Sequence, residues 1–98
     1  MSYELVPSHI FLQQLEKLSF KARQILKEKL ESLKFAPARN KRILGYNLFL
    51  FRIRLSDSGK ELRIIYLLDK EKIKILCILN RKNNYKDLEK YLRRLGCL

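Results

Sequence analysis

Five residues in the second half of this sequence have side chains that can act together on a phosphate: Arg52, Arg54, Arg63, Arg81 and Tyr85. In the run Phe49-Leu50-Phe51-Arg52-Ile53-Arg54-Leu55, strand alternation puts Phe49, Phe51, Ile53 and Leu55 on one face and Arg52 and Arg54 together on the other. Arg63 belongs to the next apolar run, Glu61 to Leu68. If the connection between the two runs closes as a two-residue Ser58-Gly59 turn, Arg54 and Arg63 stand opposite each other on one face. A register change of one residue would send Arg63 to the far side. Like charges directly across a sheet are destabilising, and a bound phosphate would compensate. Solvated arginines on an exposed sheet face are the competing reading, and periodicity does not decide between the two. Arg81 follows the third run, Ile73 to Leu79, and Tyr85 comes four residues later at a strand-to-helix junction. A tyrosine there either stacks on a base of single-stranded RNA, which is worth ~1–3 kcal/mol, or packs as the first core residue of the last helix.

The charge balance points the same way. The 98 residues carry 22 Lys and Arg against 10 Asp and Glu, a net +12 at pH 7, and a polyanionic or acidic partner would relieve that self-repulsion. Residues 1–38 hold six basic and four acidic groups, whereas residues 39–98 hold sixteen and six. The partner surface is expected in the second part.

The elements that must position these side chains follow from hydrophobic period. Tyr3 to Val6 is a short β-prone run stopped by Pro7. Ser8 is a candidate N-cap for a helix burying Phe11, Leu12, Leu15 and Leu18, and Ser19 for one burying Ala22, Ile25, Leu26, Leu30 and Leu33. From Lys41 the period changes: Ile43 to Leu55, Glu61 to Leu68 and Ile73 to Leu79 read as three strands of an antiparallel meander. Asn83 or Asn84 then caps a helix from about Tyr85 to Leu95, with Gly96 as its stop. The order β-α-α-β-β-β-α predicts an α+β fold of one domain, residues 1–98, with the helices covering one side of a mainly antiparallel twisted sheet and the charges on the other. An apolar fraction of 47% with three Gly and two Pro makes no case for disorder.

Other chemistries find little support. His9 is the only histidine, lies far in sequence from the basic cluster, and reads as a surface or capping residue. Cys77 and Cys97 form neither a disulfide framework nor a zinc spacing and are read as intracellular thiols. No Gly-rich phosphate loop or carboxylate pair stands out, so no metal and no cofactor is implied. With no apolar stretch of ~20 residues and no signal-peptide pattern, the chain is expected to be cytoplasmic and without a membrane partner.

Taken together, Lys41-Arg42-Ile43-Leu44-Gly45-Tyr46, Leu50-Phe51-Arg52-Ile53-Arg54-Leu55, Leu62-Arg63-Ile64-Ile65-Tyr66 and Ile78-Leu79-Asn80-Arg81-Lys82 with Tyr85 resemble the RelE/ParE toxin superfamily in order and spacing, over nearly the whole chain. The resemblance implies the toxin of a toxin–antitoxin system: an mRNA interferase that cuts mRNA in the A site of a 70S-type ribosome without a metal, inhibits translation, and is silenced by a cognate acidic antitoxin. It implies catalytic roles for Arg54, Arg63, Arg81 and Tyr85, with RNA contacts from Arg52, Lys41, Arg42 and Lys82. The C-terminal helix, with Lys86, Lys90, Arg93 and Arg94 beside a Leu88-Tyr91-Leu92-Leu95 stripe, either packs on its own domain or helps to dock the antitoxin. A full Arg81 and Tyr85 set favours the RelE branch over a ParE-like gyrase inhibitor; a non-catalytic RNA-binding homologue is the other alternative. The first two positions often hold lysine in RelE and hold arginine here, and arginine stays protonated at neutral pH and cannot act as a general base.

Overall fold

The computed structural model of the chain describes residues 2–83 and 85–98, and its helices give way to sheet at Lys41, where the hydrophobic period changes. Strand β1 (Glu4–Pro7) leads into α1 (His9–Leu15) and α2 (Phe20–Leu33). Strands β2 (Lys41–Ile43), β3 (Leu50–Asp57), β4 (Lys60–Asp69) and β5 (Lys72–Asn80) follow, then a 3₁₀ turn (Arg81–Asn83) and α3 (Leu88–Arg94). The strands form one sheet in the order β1-β5-β4-β3-β2, parallel only between β1 and β5. The expected α+β architecture, a helical hairpin on a mainly antiparallel sheet, is the one adopted.

Both expected serine caps form: Ser8 Oγ accepts from the Phe11 N–H at 3.0 Å and Ser19 Oγ from the Ala22 N–H at 3.1 Å. Phe11, Leu18, Ala22, Leu26 and Leu33 bury against Phe51, Ile53, Leu55, Ile64, Tyr66, Ile73 and Ile75. Leu12 and Ile25, expected on the buried faces, are 48% and 37% exposed. Each is next in sequence to a fully buried residue, Phe11 or Leu26, and one residue is a rotation of about 100°. A helix lying on a flat sheet buries a narrower stripe than that.

The expected strand from Ile43 to Leu55 is two strands. Gly45, at φ +99°, reverses the chain, so β2 returns antiparallel to β3 with Lys41 opposite Arg52 and Ile43 opposite Leu50. Phe49, expected on the core face, precedes β3; it is 58% exposed, with the Arg42 guanidinium 4.6 Å above its ring.

The second correction concerns α3, which lies on the opposite side of the sheet from the hairpin. Leu88 and Leu92, both wholly buried, pack with Leu50, Ile65, Leu67, Leu76, Cys77 and Leu79. β4 and β5 carry near-continuous apolar runs, as strands covered on both faces do. The helix also starts later than Tyr85. Asn83 ends the 3₁₀ turn, Tyr85 is in the left-handed region at φ +66°, and Asp87 is the N-cap residue without a side-chain cap bond. The alternative cap, Asn84, lies outside the described residues. Gly96 stops the helix as expected: at φ +74° its N–H reaches the Arg93 carbonyl, and the Cys97 N–H reaches that of Leu92, the paired bonds of a Schellman motif.

A β-bulge sets the phase of the last strand. Pairing steps from Ile65↔Cys77 to Tyr66↔Ile75, leaving Leu76 as an extra residue on β5. Beyond it Ile78 faces the hairpin and Leu79 faces α3. β1 pairs with β5 only as far as Ile75, and side chains satisfy the edge beyond. Ser8 Oγ donates to the Leu76 carbonyl at 2.5 Å. The Gln14 amide accepts from the Ile78 N–H at 2.6 Å and donates to its carbonyl at 2.9 Å, as a neighbouring strand would.

Gln14→Ala leaves both Ile78 backbone groups unpaired and should lower stability by about 1–3 kcal/mol in urea unfolding. Burial pushes the Cys77 thiol up to about 12 and raises Cys97 as well. Raised values keep both thiols protonated at pH 8, so native protein should resist iodoacetamide at Cys77, the buried thiol, far more than unfolded protein does. Rapid native alkylation of Cys77 would contradict this packing.

Candidate phosphate-binding site

The convergence of the arginines depends on one turn. The last β3–β4 pair is Asp57↔Lys60, and between them Ser58 and Gly59 both adopt left-handed backbone, at φ +51° and +81°. That is the primed two-residue turn whose twist matches a hairpin, and glycine fits its second position without strain. The hairpin tip is tied to α2 through Asp57, whose carboxylate accepts from the Ser19 N–H at 3.0 Å. This bond, with help from the Ser19 side chain, holds the Asp57 carboxyl below its ordinary value. The register that follows puts Arg54 directly opposite Arg63.

Arg52, Arg54, Arg63, Arg81 and Tyr85, with Leu79 and Asn80, line one cavity of about 230 Å³. Four of its seven lining residues are arginines, and no carboxylate is among them. Arg63 is 7% exposed, the one buried charged residue among those described. Its one side-chain hydrogen bond among the described residues is a long 3.4 Å contact from Nη1 to the Leu62 carbonyl. The ion pairs among the described residues are Lys34–Glu31, Lys74–Asp69 and Arg93–Glu89, all elsewhere. A buried cation without a counter-ion is unfavourable unless an anion arrives, and a tetrahedral oxyanion suits several guanidinium forks at once.

Tyr85 is half-buried. Its ring packs at the edge of the core beneath α3, while its hydroxyl faces the arginines and accepts from Arg52 Nη1 at 2.5 Å. The Arg52 guanidinium carbon lies 5.9 Å from the ring centroid. As an acceptor from Arg52, the phenol keeps its own proton available to donate.

The remaining candidates are placed differently. Lys41 opens into a neighbouring hollow, Arg42 is stacked on Phe49, and Lys82 is exposed in the 3₁₀ turn; none of the three lines the arginine cavity. Asn80 does, and sequence reasoning missed it. Its Oδ1 accepts from the Lys82 N–H at 3.0 Å and shapes the turn that presents Arg81; an Asn two residues before a turn N–H is the available signal. His9 is exposed on α1, as expected. Among the described residues no group of three or more His, Cys, Asp or Glu is placed to hold a metal ion, and no helix is long and apolar enough to cross a membrane.

No protein-family profile matches the sequence, and no curated protein sequence matches it. Solved structures do. A doubly substituted E. coli toxin RelE in the free state aligns with a TM-score of 0.77 at 20% identity, over 96% of this chain and 98% of that one. The fold is that of the RelE toxins. The same fold aligns with the intact E. coli RelBE toxin–antitoxin complex at a TM-score of 0.66 and 24% identity, over 79% of this chain and 94% of that one. The archaeal RelE–RelB complex from Pyrococcus horikoshii OT3 gives 0.64 and 20%, over 83% and 97%. The RelE fold inferred from residue order thus holds across almost the full length of the chain.

If the cavity binds an oxyanion, millimolar phosphate should raise the melting temperature relative to chloride at matched ionic strength. Arg63→Met should lose most of that increment. The same variant removes a buried charge and a cross-strand repulsion, so without phosphate it should be about 1 kcal/mol more stable, roughly 4–8 °C for a domain of this size. Equal phosphate response in both proteins would contradict the site.

Proposed function

We propose that this chain is the toxin of a toxin–antitoxin pair: a metal-independent endoribonuclease that cuts mRNA in the ribosomal A site. The observation that carries this reading is Arg63, buried with no ion pair among the described residues, in a cavity that Arg54, Arg52, Arg81 and Tyr85 complete. The RelE fold, seen in neighbours that include two toxin–antitoxin complexes, supports it.

On this reading the scissile phosphate sits between Arg54 and Arg63. The mRNA 2′-oxygen forms a bond to phosphorus as its proton passes to water, and the bond to the 5′-oxygen breaks as that oxygen takes up a proton. The products are a 2′,3′-cyclic phosphate and a 5′-hydroxyl. Protonated arginines accept no proton in this sequence. Their contribution is electrostatic: Arg54 and Arg63 stabilise the extra charge of the pentacovalent phosphorus and Arg81 that of the leaving oxygen. Arg52 contacts phosphate and holds the Tyr85 hydroxyl, so that the Tyr85 ring orients a base. The ribosome aligns the strand for in-line attack, which removes the need for a deep substrate channel.

An antitoxin partner is supported by exposed apolar side chains as well as by charge. Phe20, Phe35 and Leu44 are each more than 70% exposed, and Leu12 and Phe49 about half so. Such residues are what a partner segment covers. Leu88 and Leu92 of α3 are already buried on the sheet, which leaves a partner the charged side of the helix and the partly exposed Tyr91 and Leu95.

Induced expression with mapping of RNA 5′ ends tests the reading. Cuts within translated mRNA are expected, and Arg81→Ala or Arg54→Ala should slow cleavage by about 10²–10³-fold, the scale of losing one charge-stabilising donor. Growth arrest undiminished in both variants would sink the assignment; a DNA-damage response without RNA cuts would indicate gyrase inhibition, and salt-dependent RNA binding without cleavage a non-catalytic homologue. Single-turnover cleavage on ribosomes should also vary little between about pH 6 and 8, because the cavity lining includes no histidine or carboxylate to serve as a general base.

A further inference from the structure

Arg52 and Arg54 form a wall with a hollow on each side. Opposite the arginine cavity lies an open notch of about 440 Å³, whose lining includes Lys29, Arg39, Asn40 and Lys41 as well as Arg52 and Arg54. We propose that this notch is a second phosphate subsite, holding the backbone of single-stranded RNA next to the scissile phosphate. The proposal rests on the ribonuclease reading of the arginine cavity and extends it by a defined length of strand.

Charge is the first support. Five cations line the notch, no carboxylate does, and none of the five takes part in an ion pair among the described residues. Lys41 is opposite Arg52 in register, as Arg54 is opposite Arg63. The sheet therefore holds two like-charge cross-strand pairs, one beside each hollow, and each is relieved by an anion.

Architecture is the second. β2 pairs with β3 only as far as Arg52, so from Ile53 onward the β3 edge has no strand beside it and the notch opens there. Lys29 Nζ reaches across from α2 to donate to the Arg54 carbonyl at 2.7 Å. The 37–41 segment, which carries Arg39 and Lys41, is anchored from below by Tyr66. This fully buried phenol donates to the Pro37 carbonyl and accepts from Asn40 Nδ2 at 3.2 Å. The cations are thus mounted on fixed backbone, which lowers the ordering needed when an anion binds.

Spacing and lining select the ligand. Arg52 and Arg54 are two strand residues apart, roughly 7 Å, a step on the scale of consecutive phosphates, so a strand leaving one hollow enters the other. The aromatic surface is confined to the first hollow, where Tyr85 sits; the notch has no aromatic lining. It therefore suits sugar–phosphate backbone rather than a stacked base.

The test compares the full chain with an Arg39→Gln/Lys41→Gln variant. Both residues are exposed and neither side chain makes a hydrogen bond within the described fold, and circular dichroism checks that the fold is kept. Binding of 2′-O-methyl oligouridylates, a dinucleotide and a hexanucleotide, is measured over a range of salt. The variant should bind the hexanucleotide about tenfold more weakly, with a salt slope shallower by about 1.4 for two lost contacts on a single strand, and bind the dinucleotide as the parent does. Unchanged hexanucleotide affinity and slope, or no hexanucleotide binding by the parent, overturns the proposal. So does a loss confined to hexaglutamate, which would assign the notch to an acidic protein segment. Cleavage distinguishes this failure from that of the underlying reading. A variant that binds normally beside an Arg81→Ala protein that no longer cuts removes the notch alone. A weakened hexanucleotide with a parent that never cuts keeps the notch as an RNA site and removes the ribonuclease.

Discussion

Arg54 and Arg63 are held face to face across β3 and β4, and most of the molecule is arranged so that they stay there. Sliding the strands by one residue would separate the charges, but it would also turn Phe51, Ile53 and Leu55 from the core to solvent. Each of those side chains is 3–5% exposed, and burial stabilises each by roughly 1.5–3 kcal/mol. Cross-strand repulsion between two like charges is a fraction of 1 kcal/mol to about 1 kcal/mol. Packing outweighs repulsion several-fold, and the Ser58-Gly59 turn adds a geometric lock. The repulsion remains in the folded state, where an anion can relieve it.

The other contributors reach this pair through the sheet. The bulge at Leu76 shifts the phase of β5 so that Leu79 comes opposite Arg63 and forms the floor of the cavity. α3 packs on the same face through Leu88 and Leu92, and of the cavity's arginines Arg63 is buried while Arg54 and Arg81 reach solvent. Among the described residues, the one non-glycine residue with left-handed backbone in the cavity wall is Tyr85. That conformation costs about 1–2 kcal/mol, and a hydrogen bond from a charged donor, worth about 1.5–3 kcal/mol, offsets it. Arg52 therefore maintains the position of Tyr85 as well as lining the cavity.

Much of this was legible in the residues. Period changes located the hairpin and the sheet, two serines announced both caps, and the Arg52/Arg54 alternation with a Ser-Gly turn described the cluster. What stayed hidden has a physical reason in each case. Gly45, at positive φ, and Asn47 interrupt a run that is otherwise strand-compatible, and β2 is the short piece cut off before them. The bulge has no composition signal, because Leu76 and Cys77 are as apolar as their neighbours. The side of the sheet taken by α3 follows from double-sided burial of β4 and β5, whereas the alternation of β3, half-covered, suggests an open face. Lys29 and Arg39 lie on a helix and in a loop, outside any strand pattern, and tertiary structure alone brings them to the sheet edge.

The choice of arginine over lysine at Arg52 and Arg54 fits the position each occupies. A lysine ammonium is a strongly hydrated point charge that can lose its proton when crowded by other cations. In a cavity with four positive groups and a buried member, that loss would be favoured and the electrostatic field would collapse with it. Guanidinium keeps its charge under the same crowding and spreads it over a plane that can contact two groups at once, as Arg52 contacts the Tyr85 hydroxyl while bordering both hollows. A site built this way gives up proton transfer by these side chains in exchange for a field that persists across neutral pH. On the ribonuclease reading, chemistry performed there takes its geometry from whatever holds the strand.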